Sequence, residues 1–228
     1  MTGQAVRACV FDAYGTLFDV AAAARHCSAE LGDRWQPLAD LWRAKQLNYT
    51  WLRSLMGRHA DFWQVTGEAL DVAMASLGLS NAGLRQRLMD LYLRLEAYPE
   101  VPAVLRRLKA SGRACAVLSN GSPKMLKAAV DHAGIGELLD HVISIEDAGI
   151  YKPHPSVYRL AVERLGVPAR QMTFQSSNAW DAHAAQAFGF RSIWINRFGQ
   201  PREPLPERPE AELTSLADVP AIVEAMRP

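Results

Sequence analysis

The chain has 228 residues, about half of them apolar, with 25 Lys and Arg against 24 Asp and Glu for a formal net charge of +1. That balance argues against a general nucleic-acid or membrane-surface binder but leaves room for a local positive pocket that takes a small anion. No segment approaches the roughly 18 apolar residues of a membrane helix, and no basic leader precedes a long apolar stretch.

Short apolar runs at residues 6–11, 114–119, 141–145, 172–176 and 191–195 read as strands. Helical patterns at 123–133, 156–165 and 181–188 follow three of them. Alternation at this spacing predicts an α/β fold, a parallel sheet with helices on both faces. Prolines 123, 153 and 155 and glycines 134 and 166 mark helix starts and stops. The interval 17–97 breaks the alternation. It carries long amphipathic stretches at 38–56, 62–77 and 84–95, and Trp35, Trp42, Trp51 and Trp63 all fall there. A strand usually reaches its helix in about 2–6 residues, so the interval is expected to be an inserted helical cap over a catalytic core of 1–16 and 98–228. The Pro-rich piece 197–209 reads as a surface loop before a last helix at 219–226. Cys9, Cys27 and Cys115 are an odd, widely spaced set, expected to be reduced packing residues of a cytoplasmic protein. The histidines are scattered and no CxxC or HExxH occurs, so no histidine-rich metal site is expected.

In an open parallel sheet, ligands bind beyond the carboxyl ends of the strands. Strand one ends in ACVFDAYGTLF (8–18), where Asp12 interrupts an apolar run and Gly15 and Thr16 turn the chain. The second strand ends at Ser119, Asn120 and Gly121. The third leads to Tyr151, Lys152 and Pro153. The fourth ends at Ser176, Ser177 and Asn178, with Asp181 one turn on. Groups able to attack, to bind anions and to direct water converge on one rim. Asp12 alone reads as readily as a turn cap. Beside Lys152 and Asp181 at matching strand ends it reads better as a nucleophile. An aspartate of ordinary pKa near ~3.9 is ionised at neutral pH, and an ammonium from Lys152 would keep it so under partial desolvation. Lys152 otherwise reads as a surface lysine, and Thr16 either orients the carboxylate or only serves the turn.

DAYGTLF, the strand-terminal SNG, the lone Lys-Pro and SSNxxD occur in this order at spacings that resemble the haloacid dehalogenase superfamily over the whole chain. The resemblance implies a Rossmann-like core with an inserted cap. Phosphatases of that superfamily carry DxD, whose second Asp protonates the leaving oxygen, and use acidic residues of the fourth motif to hold magnesium. Here Tyr14 replaces the second Asp, and the fourth motif keeps only Asp181. A phosphoryl leaving group needs a proton and a cation, whereas halide leaves unprotonated. The pattern therefore resembles the L-2-haloacid dehalogenase branch, which uses no metal or other cofactor. A magnesium-dependent small-molecule phosphatase is the rival enzyme, and a non-catalytic protein holding a small carboxylate is the rival of another class.

That branch implies that Asp12 displaces halide from C2 of a 2-haloalkanoate with inversion, and that water then attacks the ester's carboxyl carbon. Arg43, in LWRAKQLNY, matches the halide-binding arginine, although Asp40 and Arg43 also read as an exposed helical pair. Asn120 and Trp180 are its matching partners, although the indole taken alone reads more readily as core. Ser119 and Lys152 are expected to hold the substrate carboxylate. Asp181, with Ser176 and Asn178, would orient or activate water, Asp181 as the base; Asn178 also reads as a helix cap. Tyr158 matches a family tyrosine or packs on the sheet. Tyr14, Leu47, Phe62 and Trp63 are candidate walls for the alkyl part, or simple core. His183 reads as a solvated helix residue, or as narrowing the halide side enough for fluoroacetate to join the haloacetates as substrates. The resemblance further implies a homodimer, with a small halogenated acid as substrate and no nucleic-acid or membrane partner.

Overall fold

A computed structural model describes residues 5–226, so the ends of the expected core at 1–4 and 227–228 lie outside the described residues. Among the described residues six strands form one sheet: β1 (Ala8–Phe11), β2 (Ala114–Ser119), β3 (His141–Ser144), β4 (Met172–Ser176), β5 (Arg191–Ile195) and β6 (Ala211–Leu213). Every pairing is parallel, in the order β3-β2-β1-β4-β5-β6. All four residues of β1 are buried, which is why its sequence is a continuous apolar run: a strand covered on both faces has no solvent side to alternate with. The order reverses between β1 and β4, the switch point where such sheets open a ligand crevice. Asp12 lies there, its N–H donating to the Gln175 carbonyl at 2.9 Å and extending the ladder one residue past β1.

Between β1 and β2 the chain is helical: α1 (Ala22–His26), α2 (Ser28–Leu31), α3 (Trp35–Met56), α4 (Phe62–Ser76), α5 (Ala82–Tyr92) and α6 (Val101–Ala110). The buried residues of α3 are Leu38, Trp42, Gln46 and Thr50, one face at four-residue spacing. That face lies on α4, where the Trp42 indole N–H donates to the Thr66 carbonyl at 2.8 Å. Asp61 and Asn81 cap α4 and α5 through Gln64 N–H and Leu84 N–H. The chain leaves and re-enters the sheet side by side: Asp19 N–H reaches the Glu96 carbonyl at 3.0 Å, and Tyr98 N–H reaches that of Leu17 at 2.9 Å. The remaining helices are α7 (Pro123–Ala133), α8 (Pro155–Leu165), α9 (Ala179–Phe188) and α10 (Val219–Ala225). Among the described residues no helix is long and apolar enough to cross a membrane.

Several boundaries differ from the sequence reading. β1 starts at Ala8, and β3 ends at Ser144, after which residues 145–147 tighten into a 3-10 turn. The reading leaves α6 unassigned, although its buried Val101, Val104, Leu105 and Leu108 carry the helical period. It also passes over β6, whose three residues on the sheet edge are too short and mixed to carry a period.

Candidate active site

The nucleophile turn is shaped by its own sequence. Gly15 takes φ +93°, and a Cβ there would lie 3.0 Å from Ser177 Oγ, so the turn needs glycine both for its backbone and for the close approach. The N–H groups of Thr16, Leu17 and Phe18 all point to the Ala13 carbonyl, which closes the turn directly after Asp12. Asp12 is buried, at 6% exposure. Its Oδ1 accepts from Lys152 Nζ at 3.1 Å. Its Oδ2 accepts from Thr16 Oγ1 and from Asn178 Nδ2, both at 3.0 Å. Thr16 in turn accepts the Ser177 N–H at 2.8 Å, which ties the β1 and β4 ends together. The Thr16 side chain bonds the Asp12 carboxylate, while the turn itself closes through backbone N–H groups.

Lys152 is 1% exposed, not a surface lysine. Its ammonium also donates to Asp181 Oδ2 at 2.8 Å and lies 4.9 Å over the Phe174 ring. Burial opposes its charge, but Asp12 and Asp181 outweigh burial and raise its pKa above the ordinary lysine value. Asp181 is fully buried. Burial, reinforced by Asp12, pushes its carboxyl up against the pull of Lys152. Tyr158 donates to Asp181 Oδ1 at 2.7 Å and also packs edge-on against Phe174. The position between the two carboxylates is filled by an ammonium.

Arg43 reaches this group from α3. Its Nη2 donates to the Tyr14 carbonyl at 3.2 Å and to Asn178 Oδ1 at 3.3 Å, and its Nη1 to Gln46 Oε1 at 2.8 Å. Asp40 instead accepts from Gln36, so the exposed-pair reading of Arg43 is set aside. Asn178 sits at the cap position of α9 without capping it; its amide bridges Arg43 and Asp12. Lys152 therefore bridges the two carboxylates directly, and Arg43 is linked to Asp12 through Asn178.

Asn120 Oδ1 accepts the Lys152 N–H at 3.1 Å. Its donor end has no protein acceptor among the described residues. Ser119 Oγ accepts Gly121 N–H, and Ser176 Oγ accepts Asn178 N–H, so both hydroxyls also shape their strand ends. Trp180 is half-buried and stands edge-on to Trp51 at 5.4 Å. Tyr14 is buried with its ring against Phe18, Phe62 and Tyr92, and its hydroxyl has no hydrogen-bond partner among the described residues. Leu47 is half-buried on α3, one turn past Arg43. Trp63 lines a groove of about 420 Å³ with Leu93, Met125 and Glu146. His183 corrects both of its readings: it is buried, and its Nδ1 lies 2.9 Å from the Pro206 carbonyl, under the Pro-rich loop.

Sequence reasoning missed Gln46, Thr66 and Tyr92, a polar set behind Arg43, and Arg197. Gln46 betrays itself as a polar residue within an apolar four-residue stripe. Arg197 has a weaker signal, an arginine just past a strand end. Its Nη2 donates to the Thr16 carbonyl at 2.9 Å and its Nη1 to Glu100 at 2.7 Å, and it stacks 3.7 Å over Tyr98.

Residues 6–189 match the family model described as haloacid dehalogenase-like hydrolase. The chain is 46% identical over 219 residues to (S)-2-haloacid dehalogenase 1 of Pseudomonas sp. strain CBS-3, covering 96% of each protein. It is 39% identical over 206 residues to haloacetate dehalogenase H-2 of Moraxella sp. strain B, covering 90% of this chain and 92% of that one. Among solved structures, L-2-haloacid dehalogenase from Xanthobacter autotrophicus with chloropropionic acid covalently bound matches with a TM-score of 0.90 at 36% identity, over 97% of this chain and 99% of that one.

Proposed function

The chain belongs to the haloacid dehalogenase-like hydrolases, in the L-2-haloacid dehalogenase branch, and from that premise we propose that it hydrolyses (S)-2-haloalkanoic acids to (R)-2-hydroxyalkanoic acids and halide through an ester on Asp12, without a metal. The observation that carries the proposal is the Asp12 carboxylate, fixed by Lys152, Thr16 and Asn178 at a buried strand end. An oxygen of Asp12 attacks C2 from the side opposite the halide, the C–halogen bond breaks, and the carbon inverts. In-line positioning of this kind supplies on the order of 7–11 kcal/mol of the barrier. Arg43, with Asn120 and the edge of Trp180, receives the departing halide. Lys152 and Ser119 hold the substrate carboxylate, and Tyr14, Leu47, Phe62 and Trp63 wall the alkyl part. Water then attacks the carboxyl carbon of the ester, directed by Ser176, Asn178 and Asp181. Asp181 takes the proton, and its raised pKa makes it a better base than an ordinary aspartate.

The proposed organisation is a core of 1–16 and 98–228 beneath a cap of 17–97, which carries Arg43 to the crevice. Haloacetates, fluoroacetate included, belong to the proposed range because of the likeness to a haloacetate dehalogenase; His183 lends fluoride no support. The proposal also includes a homodimer joined through the cap, where Leu52, Leu55 and Met56 are exposed, and a cytoplasmic location, in keeping with three buried unpaired cysteines. The test is stoichiometric chloride and (R)-lactate from (S)-2-chloropropionate in the presence of EDTA. Magnesium-dependent phosphate release from p-nitrophenyl phosphate without chloride release would contradict it.

A further inference from the structure

Gln46 is a glutamine in the middle of the apolar face of α3, 1% exposed. A buried amide costs free energy unless its donors and acceptor are used, and here all are. The orientation of the amide follows from its neighbours. Thr66 Oγ1 donates to the Phe62 carbonyl at 2.6 Å. Its hydroxyl proton is thereby committed, so the Gln46 atom 2.7 Å from it must be the donor, Nε2. Arg43 Nη1 can only donate, so the atom 2.8 Å from it must be the acceptor, Oε1. Tyr92 OH lies 3.1 Å from Nε2 and takes its second proton. The two ends of the amide are fixed independently and agree.

A continuous set of hydrogen bonds then runs from the α4 backbone to the nucleophile. It passes from the Phe62 carbonyl through Thr66, Gln46, Arg43 and Asn178 to Asp12 Oδ2. Gln46 pins one arm of the guanidinium and turns the other toward Tyr14 and Asn178. Being neutral, it does so without cancelling the positive charge. A carboxylate in its place would also hold Arg43, but would neutralise the field that a leaving anion needs.

We propose that Gln46, locked in one amide orientation by Thr66, is a positioning residue that presents Arg43 to the departing halide with its charge undiminished. This rests on the halide role of Arg43 proposed above. Gln46→Glu, nearly isosteric, tests charge, and Gln46→Met tests loss of the acceptor. The readouts are kcat and KM for (S)-2-chloropropionate and the inhibition constant for chloride, with folding checked by urea denaturation. A group that orients a ligand-holding side chain is expected to matter on the order of ten- to a hundredfold. Gln46→Glu should therefore lose at least about tenfold in both kcat and chloride affinity, with the smaller change in KM. Thr66→Val, which removes the lock on the amide, should follow in the same direction, and Thr66→Ser should restore activity; this pair decides the matter if the Gln46 variants fail to fold. Folded Gln46 or Thr66→Val variants within twofold of wild type in kcat and chloride inhibition would overturn the proposal alone. A wild-type enzyme that releases chloride but whose chloride inhibition is unmoved by Arg43→Lys would overturn the halide reading and this proposal with it.

Discussion

Replacing Lys152 by methionine keeps the volume of the stem and deletes the one cation that Asp12 and Asp181 share. The ammonium sits 3.1 Å from Asp12 Oδ1 and 2.8 Å from Asp181 Oδ2, and all three side chains are less than a tenth exposed. At an effective dielectric of about 20, each contact represents roughly 5–6 kcal/mol of gross attraction. The desolvation of the ammonium, which methionine avoids, offsets most of it. What remains is the cost of two buried carboxylates left without their shared cation, about 3–5 kcal/mol by the behaviour of broken buried pairs. Urea unfolding at pH 7.5 reads this directly; for a chain of this size the midpoint should fall by roughly 1–2 M. The deficit against wild type should shrink as pH is lowered. In the variant the uncompensated carboxylates take up protons readily on folding, so the folded state gains protons relative to the unfolded chain and becomes relatively more stable in acid. Halide release should be lost at every pH. A variant within about 1 kcal/mol of wild type at pH 7.5, or a deficit that does not change between pH 7.5 and 5, would refute the reasoning.

Three further outcomes follow from the geometry. The raised pKa of Asp181 means that the base is fully charged only at higher pH, so the acid limb of kcat should lie above the ordinary aspartate value of about 3.9; a limb at or below that value contradicts the assignment. Gln175 is fully buried in β4 and neither end of its amide has a partner among the described residues, so Gln175→Leu should stabilise the fold by about 1–3 kcal/mol, seen as a rise in Tm, whereas an unchanged or lower Tm counts against it. A Cβ on Gly121 would come within 2.7 Å of Tyr14 Cε2 and 3.0 Å of Leu126 Cδ2. Tyr14 is wedged among other rings, so Gly121→Ala should cost roughly 1–3 kcal/mol in urea unfolding and raise KM by shifting the carbonyl that holds Arg43.

The sheet was legible because buried parallel strands leave continuous apolar runs. Ala114–Ser119, Met172–Ser176 and Arg191–Ile195 appear in the structure with the expected bounds. The strand-end rule then placed Asp12, Lys152, Ser176 and Asp181 on one rim without any knowledge of distances. Residues with two plausible readings were not separable in one dimension. Tyr158 both packs and donates, while Asn178 takes a cap position yet bonds elsewhere. His183 failed because two residues on a helix rotate a side chain by about 200°: near Asp181 in sequence, it faces the Pro-rich loop instead. Gln46 and Thr66 lie on different helices, and only the packing of α3 on α4 makes them partners.

The most direct test of the central claim is one turnover in oxygen-18 water with enzyme in excess over (S)-2-chloropropionate, followed by mass analysis of both product and peptide. Attack by Asp12 predicts heavy oxygen in the side chain of Asp12 and an unlabelled hydroxyl in the first product formed. Heavy oxygen in that hydroxyl, with Asp12 unlabelled, would mean that water displaces the halide itself.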